Sequence, residues 1–471
     1  MGRDDAVPLV LDIDGTLLRT DLLMETFWAA LGRNPLGTLA VFLSSFLSPA
    51  RLKRRLLEIT EPDIELMPVN EPILRKARDA LARGRAVHLA SGADQVQVDA
   101  VARRFGFPGE HFGSTDPRNL TGAAKADLLV ERFGDGGFDY AGNAQVDLSI
   151  WRRARAILAV EPGAWLAARL RRLEHPVDIL HDARDPWAFL REMRPRHWIK
   201  NLLLFLPLVA THDFEPAAIL RVLVAIAAFS LGASALYIVN DLLDLDADRH
   251  HPEKRNRPIA SGALSIRGAM LLCAGLLLLA PFLAWQAGPA VAGLTVLYIL
   301  SSLTYSLWLK RLVWIDLAML AWMFLLRVMT GVEASQAETS AWLPAFVFCA
   351  ALSLAAVKRI TGLARARHHG TLPGRGYDGT HMATLEIIAT LAAASSIAVF
   401  LAYAFGPVAN TLYAVPAMLA LAAIPLFFWF FRIIRLSVRG QEDYDPTVFV
   451  THDRVGLALV GCGIGLALLA L

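Results

Sequence analysis

Cysteine is scarce in this 471-residue chain: only Cys273, Cys349 and Cys462 occur, each inside an apolar run. No two have metal-ligand spacing, so neither a zinc module nor a disulfide scaffold is expected. Charge of one sign is also lacking. Forty-six Lys and Arg against 43 Asp and Glu leave a net +3, too little to gather a nucleic-acid backbone, and no nucleic-acid partner is expected. The start, MGRDDAVPLVLDIDG, lacks a basic region followed by an apolar stretch, so no cleaved signal peptide is expected. What the chain has in excess is apolar surface. It is 55% hydrophobic with mean hydropathy +0.45, and the excess is concentrated after about residue 198.

That half resolves into about nine apolar segments, at 199–211, 216–239, 264–285, 289–308, 313–333, 341–361, 383–405, 412–433 and 453–471. The first is short for a full span. Basic residues cluster in alternate loops: Arg249, Lys254, Arg255, Arg257 and Arg267, then Lys310 and Arg311, then Lys358, Arg359, Arg365, Arg367 and Arg375. The other loops, THDFEP, WQAGPA, GVEASQAETS and FGPVANT, contain no Lys or Arg. The positive-inside rule therefore predicts a multi-pass protein of a bacterial-type inner membrane, with the N-terminal part in the cytoplasm and the C-terminus outside.

Residues 239–262 read VNDLLDLDADRHHPEKRNRPIASG. On a helix continuing through the motif, Asp241, Asp244 and Asp248 fall within roughly 60° of one another, with Asn240 close by. Three carboxylates on one stripe repel unless a cation lies between them, and an all-oxygen site suits Mg2+ shared with substrate phosphates. Lys254, Arg255 and Arg257 follow and could hold the remaining phosphate charge. The pattern predicts a metal–diphosphate site at a membrane surface, with Asp241 and Asp244 as its catalytic carboxylates.

The first part has its own chemistry. Apolar runs at 7–13, 86–90 and 138–141 end in DIDGT (Asp12 to Thr16), Ser91-Gly92 and Gly142-Asn143. Polar residues at the ends of successive strands, with helical stretches between, predict an open α/β sheet with its ligand at the strand C-termini. Over about residues 5–155 the sequence resembles the haloacid dehalogenase-like phosphatases. The resemblance implies that Asp12 attacks phosphorus and Asp14 protonates the leaving group, while Thr16, Ser91 and Lys125 bind phosphate. It also implies that Asp12, Asp14, Asn143 and Asp147 hold Mg2+, although the family usually has Asp where this chain has Asn143. Residues 19–85 are long enough for a helical cap, in which the stretch 36–47 is apolar enough to touch lipid but is expected to form the cap core. Residues 156–198, with four prolines, are expected to be a linker carrying a short interfacial helix in DPWAFLREMR, leaving 199–471 as the membrane domain.

Across roughly 190–471 the chain resembles the UbiA superfamily of intramembrane prenyltransferases, the specific match being NDxxDxxxD at Asn240, Asp241, Asp244 and Asp248. Members that prenylate aromatic acids usually carry a second aspartate-rich motif after the sixth helix. Here that loop offers Asp378 against Lys358, Arg359, Arg365, Arg367 and Arg375. With RPRHWIKN (Lys200), YSLWLK (Tyr305, Lys310) and Arg327 in FLLRVMTG, it looks more like the decaprenyl-phosphate phosphoribosyltransferase branch. That implies phosphoribosyl diphosphate and a polyprenyl phosphate as substrates in the lipid bilayer. An arginine deep in a span normally faces the bundle interior, so Arg327 is expected to face a polar cavity that Asp316 could share, or else to pair with Asp316 in a helix-packing network. The fused phosphatase could then act on the 5-phosphate of the lipid-linked product, in lipid-linked sugar or cell-wall synthesis. Two other readings stay open: an aromatic or quinone-precursor polyprenyltransferase using a prenyl diphosphate, and a non-enzymatic membrane protein whose soluble domain does the only chemistry. The expected fold is thus two-domain, a Rossmann-like α/β domain of the haloacid dehalogenase type followed by an all-α UbiA-like bundle.

Overall fold

The computed structural model describes residues 7–181, 185–212, 214–338, 340–365, 375–440 and 453–471, so Arg367 and residues 182–184 of the expected linker lie outside the described residues. The chain divides into two compact units. One combines Met1–Met193 with Tyr237–Ala274; the other combines Arg194–Leu236 with Gly275–Leu471.

The first unit is built on six parallel strands: β1 Leu9–Leu11, β2 Val87–Asp94, β3 Phe112–Ser114, β4 Asp139–Gly142, β5 Ala156–Val160 and β6 Val177–Leu180. Their order is β3-β2-β1-β4-β5-β6. The chain reverses its direction of growth between β1 and β4, and ligands of open α/β sheets bind at such a switch point. Buried apolar clusters cover both faces, Leu11, Ile13 and Leu89 on one and Val10, Tyr140 and Trp151 on the other. This is why β1 reads as an unbroken apolar run. The domain does not end at residue 155. β5 (AILAV) and β6 add to the same sheet through the registers Tyr140↔Ile157 and Leu158↔Asp178, so most of the expected linker is sheet. A short helix, Ala188–Glu192, follows where one was expected, with Asp185 accepting a hydrogen bond from the Trp187 amide (2.8 Å) ahead of it.

Between β1 and β2 lies the helical insertion Leu22–Arg33, Pro35–Ser45 and Pro49–Ile59. The middle helix departs from expectation. Leu36, Leu39, Phe42 and Leu43 are exposed on it, as are Phe46 and Leu47 just beyond its end, instead of forming the cap core. That core is made by Ala30, Leu52 and Leu56 of the two flanking helices. The mostly apolar middle helix has no face polar enough to direct an apolar one inward.

Seven helices among the described residues are long and apolar enough to cross a membrane: Pro216–Leu243, Ile266–Ala287, Pro289–Leu307, Ile315–Ser335, Trp342–Arg365, Gly379–Ala404 and Pro416–Val438. The first and last of the nine expected segments fall short of that length. Residues 199–211 lie in the 3-10 helix Pro195–Phe205 and the short helix Leu206–Thr211, and the C-terminal helix Arg454–Ala470 has 17 residues. The protein is a polytopic helical membrane bundle joined to a parallel α/β domain.

Candidate active sites

At the C-terminal end of β1, the loop Asp12–Thr16 enters a cavity of about 370 Å³. Asp12 Oδ1 accepts a hydrogen bond from Lys125 Nζ (2.9 Å), which also reaches the Tyr140 hydroxyl (2.8 Å). Asp14 Oδ1 accepts from the Leu22 amide (2.7 Å), in the first turn of helix Leu22–Arg33, and its Oδ2 accepts from Ser91 Oγ (3.0 Å). Burial raises both carboxyls, Asp12 to about 6 despite the opposing pull of Lys125, and Asp14 to about 7 with Asp21 adding to the effect. Both carboxyls therefore hold a proton more readily than a solvated carboxylate does. Gly15, at φ +70°, leaves room for Asn143, since a Cβ there would lie 2.1 Å from Asn143 Nδ2.

Asp12, Asp14, Lys125, Asn143 and Asp147 all line this cavity, whereas Thr16 and Ser91 do not. Both are fully buried, and Ser91 Oγ accepts from the Ala93 amide (3.0 Å) while donating to Asp14. Ser91 lies within β2 rather than after it, which turns its side chain into the fold. The residues that motif reading missed come from outside the sheet. Lys53, on an amphipathic helix of the insertion, bonds the Gly92 carbonyl and Asn119 Oδ1 (2.7 Å), and Arg267 lines the mouth with its Nη2 2.7 Å from Asp21 Oδ2. No local pattern marks either residue; only their shared cavity does.

The acidic motif follows the first long span. Helix Pro216–Leu243 stops at Asp244, but the hydrogen bonds Asp244 N to Asn240 O (2.9 Å) and Asp248 N to Asp244 O (2.8 Å) keep the path helical into Leu245–His250. Asp241 and Asp248 are buried and converge on one guanidinium: Arg257 Nη1 bonds Asp241 Oδ1 (3.0 Å) and Asp248 Oδ2. Lys254 Nζ lies 3.6 Å from Asp248 Oδ1, a buried oxygen with no hydrogen bond among the described residues. Burial raises the Asp248 carboxyl, with Arg257 opposing. Arg257 is therefore held by the carboxylates themselves, not presented as an open phosphate contact. Asp244, Lys254 and Arg255 are exposed and Asn240 is half-buried.

Arg249, beside Asp248, turns the other way. Its Nη2 and Nη1 lie 2.6 and 3.1 Å from the two Glu25 oxygens, its Nε bonds the Ala260 carbonyl (3.1 Å), and both side chains are buried. Gly32, on the same helix as Glu25, sits so close that a Cβ would fall 2.9 Å from the Leu243 carbonyl. The insertion thus packs directly on the segment carrying the motif.

In the second unit Arg327 and Asp316 have different hydrogen-bond partners among the described residues. Arg327 Nε bonds Asn201 Oδ1 (3.1 Å), Nη2 bonds the Tyr298 hydroxyl (3.1 Å), and the guanidinium lies against the Phe229 and Phe324 rings. Asp316, fully buried, accepts from Arg359 Nε (2.6 Å) and Nη2 (2.9 Å), Arg375 Nη1 (2.8 Å) and the Tyr305 hydroxyl (2.9 Å). Arg359, expected to meet substrate, is instead clamped bidentately; two guanidiniums on one carboxylate leave a net positive centre. Lys200, Lys310 and Lys358 are half-buried in their helices, and Asp378 caps its own turn by accepting from the Thr380 amide (2.9 Å).

The sequence of residues 202–443 matches the UbiA prenyltransferase family. The chain belongs to it. Over 463 residues the chain is 34% identical to the uncharacterized protein y4nM of Sinorhizobium fredii, covering 96% of this chain and 88% of that one. It is 32% identical over 280 residues to decaprenyl-phosphate phosphoribosyltransferase of Mycolicibacterium smegmatis, covering 57% and 87%. Among solved structures, a UbiA homolog from Archaeoglobus fulgidus bound to DMAPP and Mg2+ aligns with 59% of this chain and 98% of its own at 16% identity and TM-score 0.47.

Within this UbiA-family chain, no three His, Cys, Asp or Glu side chains among the described residues are grouped closely enough to hold a metal. The donor chemistry still fits a hard cation completed by substrate. Asp241 and Asp248 already share one cationic partner, and Asp248 Oδ1 has no hydrogen bond among the described residues. One or two carboxylates plus phosphate oxygens is the usual Mg2+ set. In the N-terminal cavity Asp12, Asp14 and Asn143 offer oxygens together. Asp147 is more committed, accepting from the Asn143 and Ala144 amides (3.1 and 3.0 Å) and the Tyr140 hydroxyl (3.1 Å).

Proposed function

We propose that this protein transfers 5-phosphoribose from phosphoribosyl diphosphate to a polyprenyl phosphate and releases diphosphate. The observation that carries the reading is the convergence of Asp241 and Asp248 on Arg257 at the end of a spanning helix. A phosphate oxygen of the acceptor attacks the anomeric carbon, and the bond to diphosphate breaks with its electron pair leaving on diphosphate. Asp241, Asp244 and Asp248, with Asn240, would hold Mg2+, which when bound neutralises the diphosphate charge. Arg257 neutralises part of the carboxylate charge, and Lys254, 3.6 Å from Asp248 Oδ1, is exposed and placed to meet the remaining phosphate charge, with Arg255 next to it in sequence. The positive centre of Arg359, Arg375 and Tyr305 around Asp316 favours a second anionic substrate over an uncharged aromatic one, as does the likeness to the Mycolicibacterium smegmatis enzyme. Loop charge supports a cytoplasmic face for the acidic motif and the N-terminal unit, in a bacterial-type inner membrane.

The N-terminal unit we read as a phosphohydrolase of the haloacid dehalogenase type. Asp12 is the nucleophile, Asp14 the acid that protonates the leaving oxygen, and Lys125 holds the Asp12 carboxylate and the incoming phosphate charge. Asp12, Asp14, Asn143 and Asp147 would hold Mg2+, which when bound neutralises the phosphate charge.

The test of the transferase incubates membranes with labelled phosphoribosyl diphosphate and polyprenyl phosphate, and in parallel with a prenyl diphosphate and an aromatic acid. Label entering the lipid in the first arm alone is the expected result. Product only in the second arm replaces this reading with aromatic prenylation.

A further inference from the structure

Two features argue that the N-terminal cavity opens at the level of the lipid surface. The first is its lining, which includes Ser265, Ile266 and Arg267, the last with its side chain 72% exposed. Ile266 and Arg267 open the helix Ile266–Ala287, 22 mostly apolar residues with Arg267 as the one charged side chain. At 1.5 Å per residue this helix covers about 33 Å, enough for the hydrocarbon core, so its first turn lies at headgroup depth. The second is the exposed apolar surface of helix Pro35–Ser45 and the residues after it, including Leu43 (70% exposed) and Leu47 (84% exposed). This helix follows directly on Leu22–Arg33, whose Gly32 packs against the Leu243 carbonyl where a spanning helix ends. Its apolar face is therefore at bilayer level too, and lipid is the occupant that continuity with two spanning helices supplies.

We propose that the N-terminal centre hydrolyses a phosphate monoester whose leaving group is anchored in the bilayer, with Arg267 binding an anionic group of that substrate at the mouth. The proposal rests on the phosphohydrolase reading and names its substrate class. The Asp12 carboxylate forms a bond to phosphorus as the ester P–O bond breaks, and the leaving oxygen takes the Asp14 proton. Water then gives its proton to Asp14 and attacks the aspartyl phosphate, releasing orthophosphate and restoring Asp12. Arg267 spends one N–H on Asp21 and has others for the second anion, such as the phosphodiester joining a sugar to a polyprenol. The phosphoribosyl lipid of the proposed transfer is one compound of this class.

The full-length protein in phosphatidylcholine vesicles is given polyprenyl-phospho-ribose 5-phosphate in the bilayer, or ribose 5-phosphate in solution, and orthophosphate release is followed. The lipid-linked compound should be hydrolysed at least about tenfold more efficiently, and Asp12→Asn should abolish its release. Arg267→Ala should raise its KM about tenfold, the effect expected for one charge-assisted contact, and Arg267→Lys should recover part of that loss. Leu43→Asp with Leu47→Asp should lower hydrolysis of the lipid-linked compound relative to the soluble one. Equal efficiency on both substrates, or an unchanged KM in Arg267→Ala, overturns the proposal while leaving the phosphohydrolase reading in place. Release from neither by the wild-type protein overturns that reading and the proposal with it.

Discussion

The pair Glu25–Arg249 tests how the N-terminal insertion bears on the acidic motif. Glu25→Ala removes one partner of a buried, bidentate ion pair and takes the acceptor from the Thr20 hydroxyl. Removing one member of such a pair costs about 3–5 kcal/mol, because the other charge stays desolvated. Arg249 keeps its bond to the Ala260 carbonyl, which argues for the lower end. A local cost of about 3 kcal/mol raises opening of the segment about a hundredfold. Amide hydrogen exchange across residues 245–262 should accelerate by that order, and transfer should fall because Asp248 neighbours Arg249. Glu25→Leu combined with Arg249→Met leaves no unpaired charge and should exchange more slowly than Glu25→Ala. Wild-type exchange in Glu25→Ala, or a double variant as open as the single one, would refute the reasoning.

Asp241→Ala and Asp244→Ala should each lower transfer about a hundredfold or more at saturating Mg2+ while leaving the protein inserted, as losing charge stabilisation at a leaving group usually does; near-normal turnover would remove the diphosphate site. Arg375→Gln should raise the KM for the polyprenyl phosphate about tenfold with the donor KM little changed. Arg359→Gln should first lower the thermal midpoint, because it breaks the bidentate bond to buried Asp316. In chelator, stability should fall as pH rises from about 4 to about 7, because Asp14 binds its proton up to about 7 when folded against an ordinary 3.8. Thermal midpoints of Asp14→Asn should show a flatter slope over that window, and a slope equal to wild type would mean the carboxyl is not raised.

Much of this protein is local pattern, and local pattern is legible. The apolar runs located the seven long spans to within a few residues, because a helix crossing lipid must be apolar throughout and about twenty residues long. The runs ending in DIDGT, Ser91-Gly92 and Gly142-Asn143 located β1, β2 and β4 for the same kind of reason, burial on both faces. β5 and β6 were missed because no chemical motif follows them. What the sequence could not determine is which distant charge meets which. Glu25 and Arg249 are 224 positions apart, and nothing near either one selects the other. Asp316 was expected to share a cavity with Arg327, and packing gave it Arg359 and Arg375 instead. The cavity lining at Arg267 and the exposed face of Pro35–Ser45 are likewise tertiary facts. They depend on which surfaces remain uncovered after the chain has folded, whereas a periodic pattern reports only which residues are apolar.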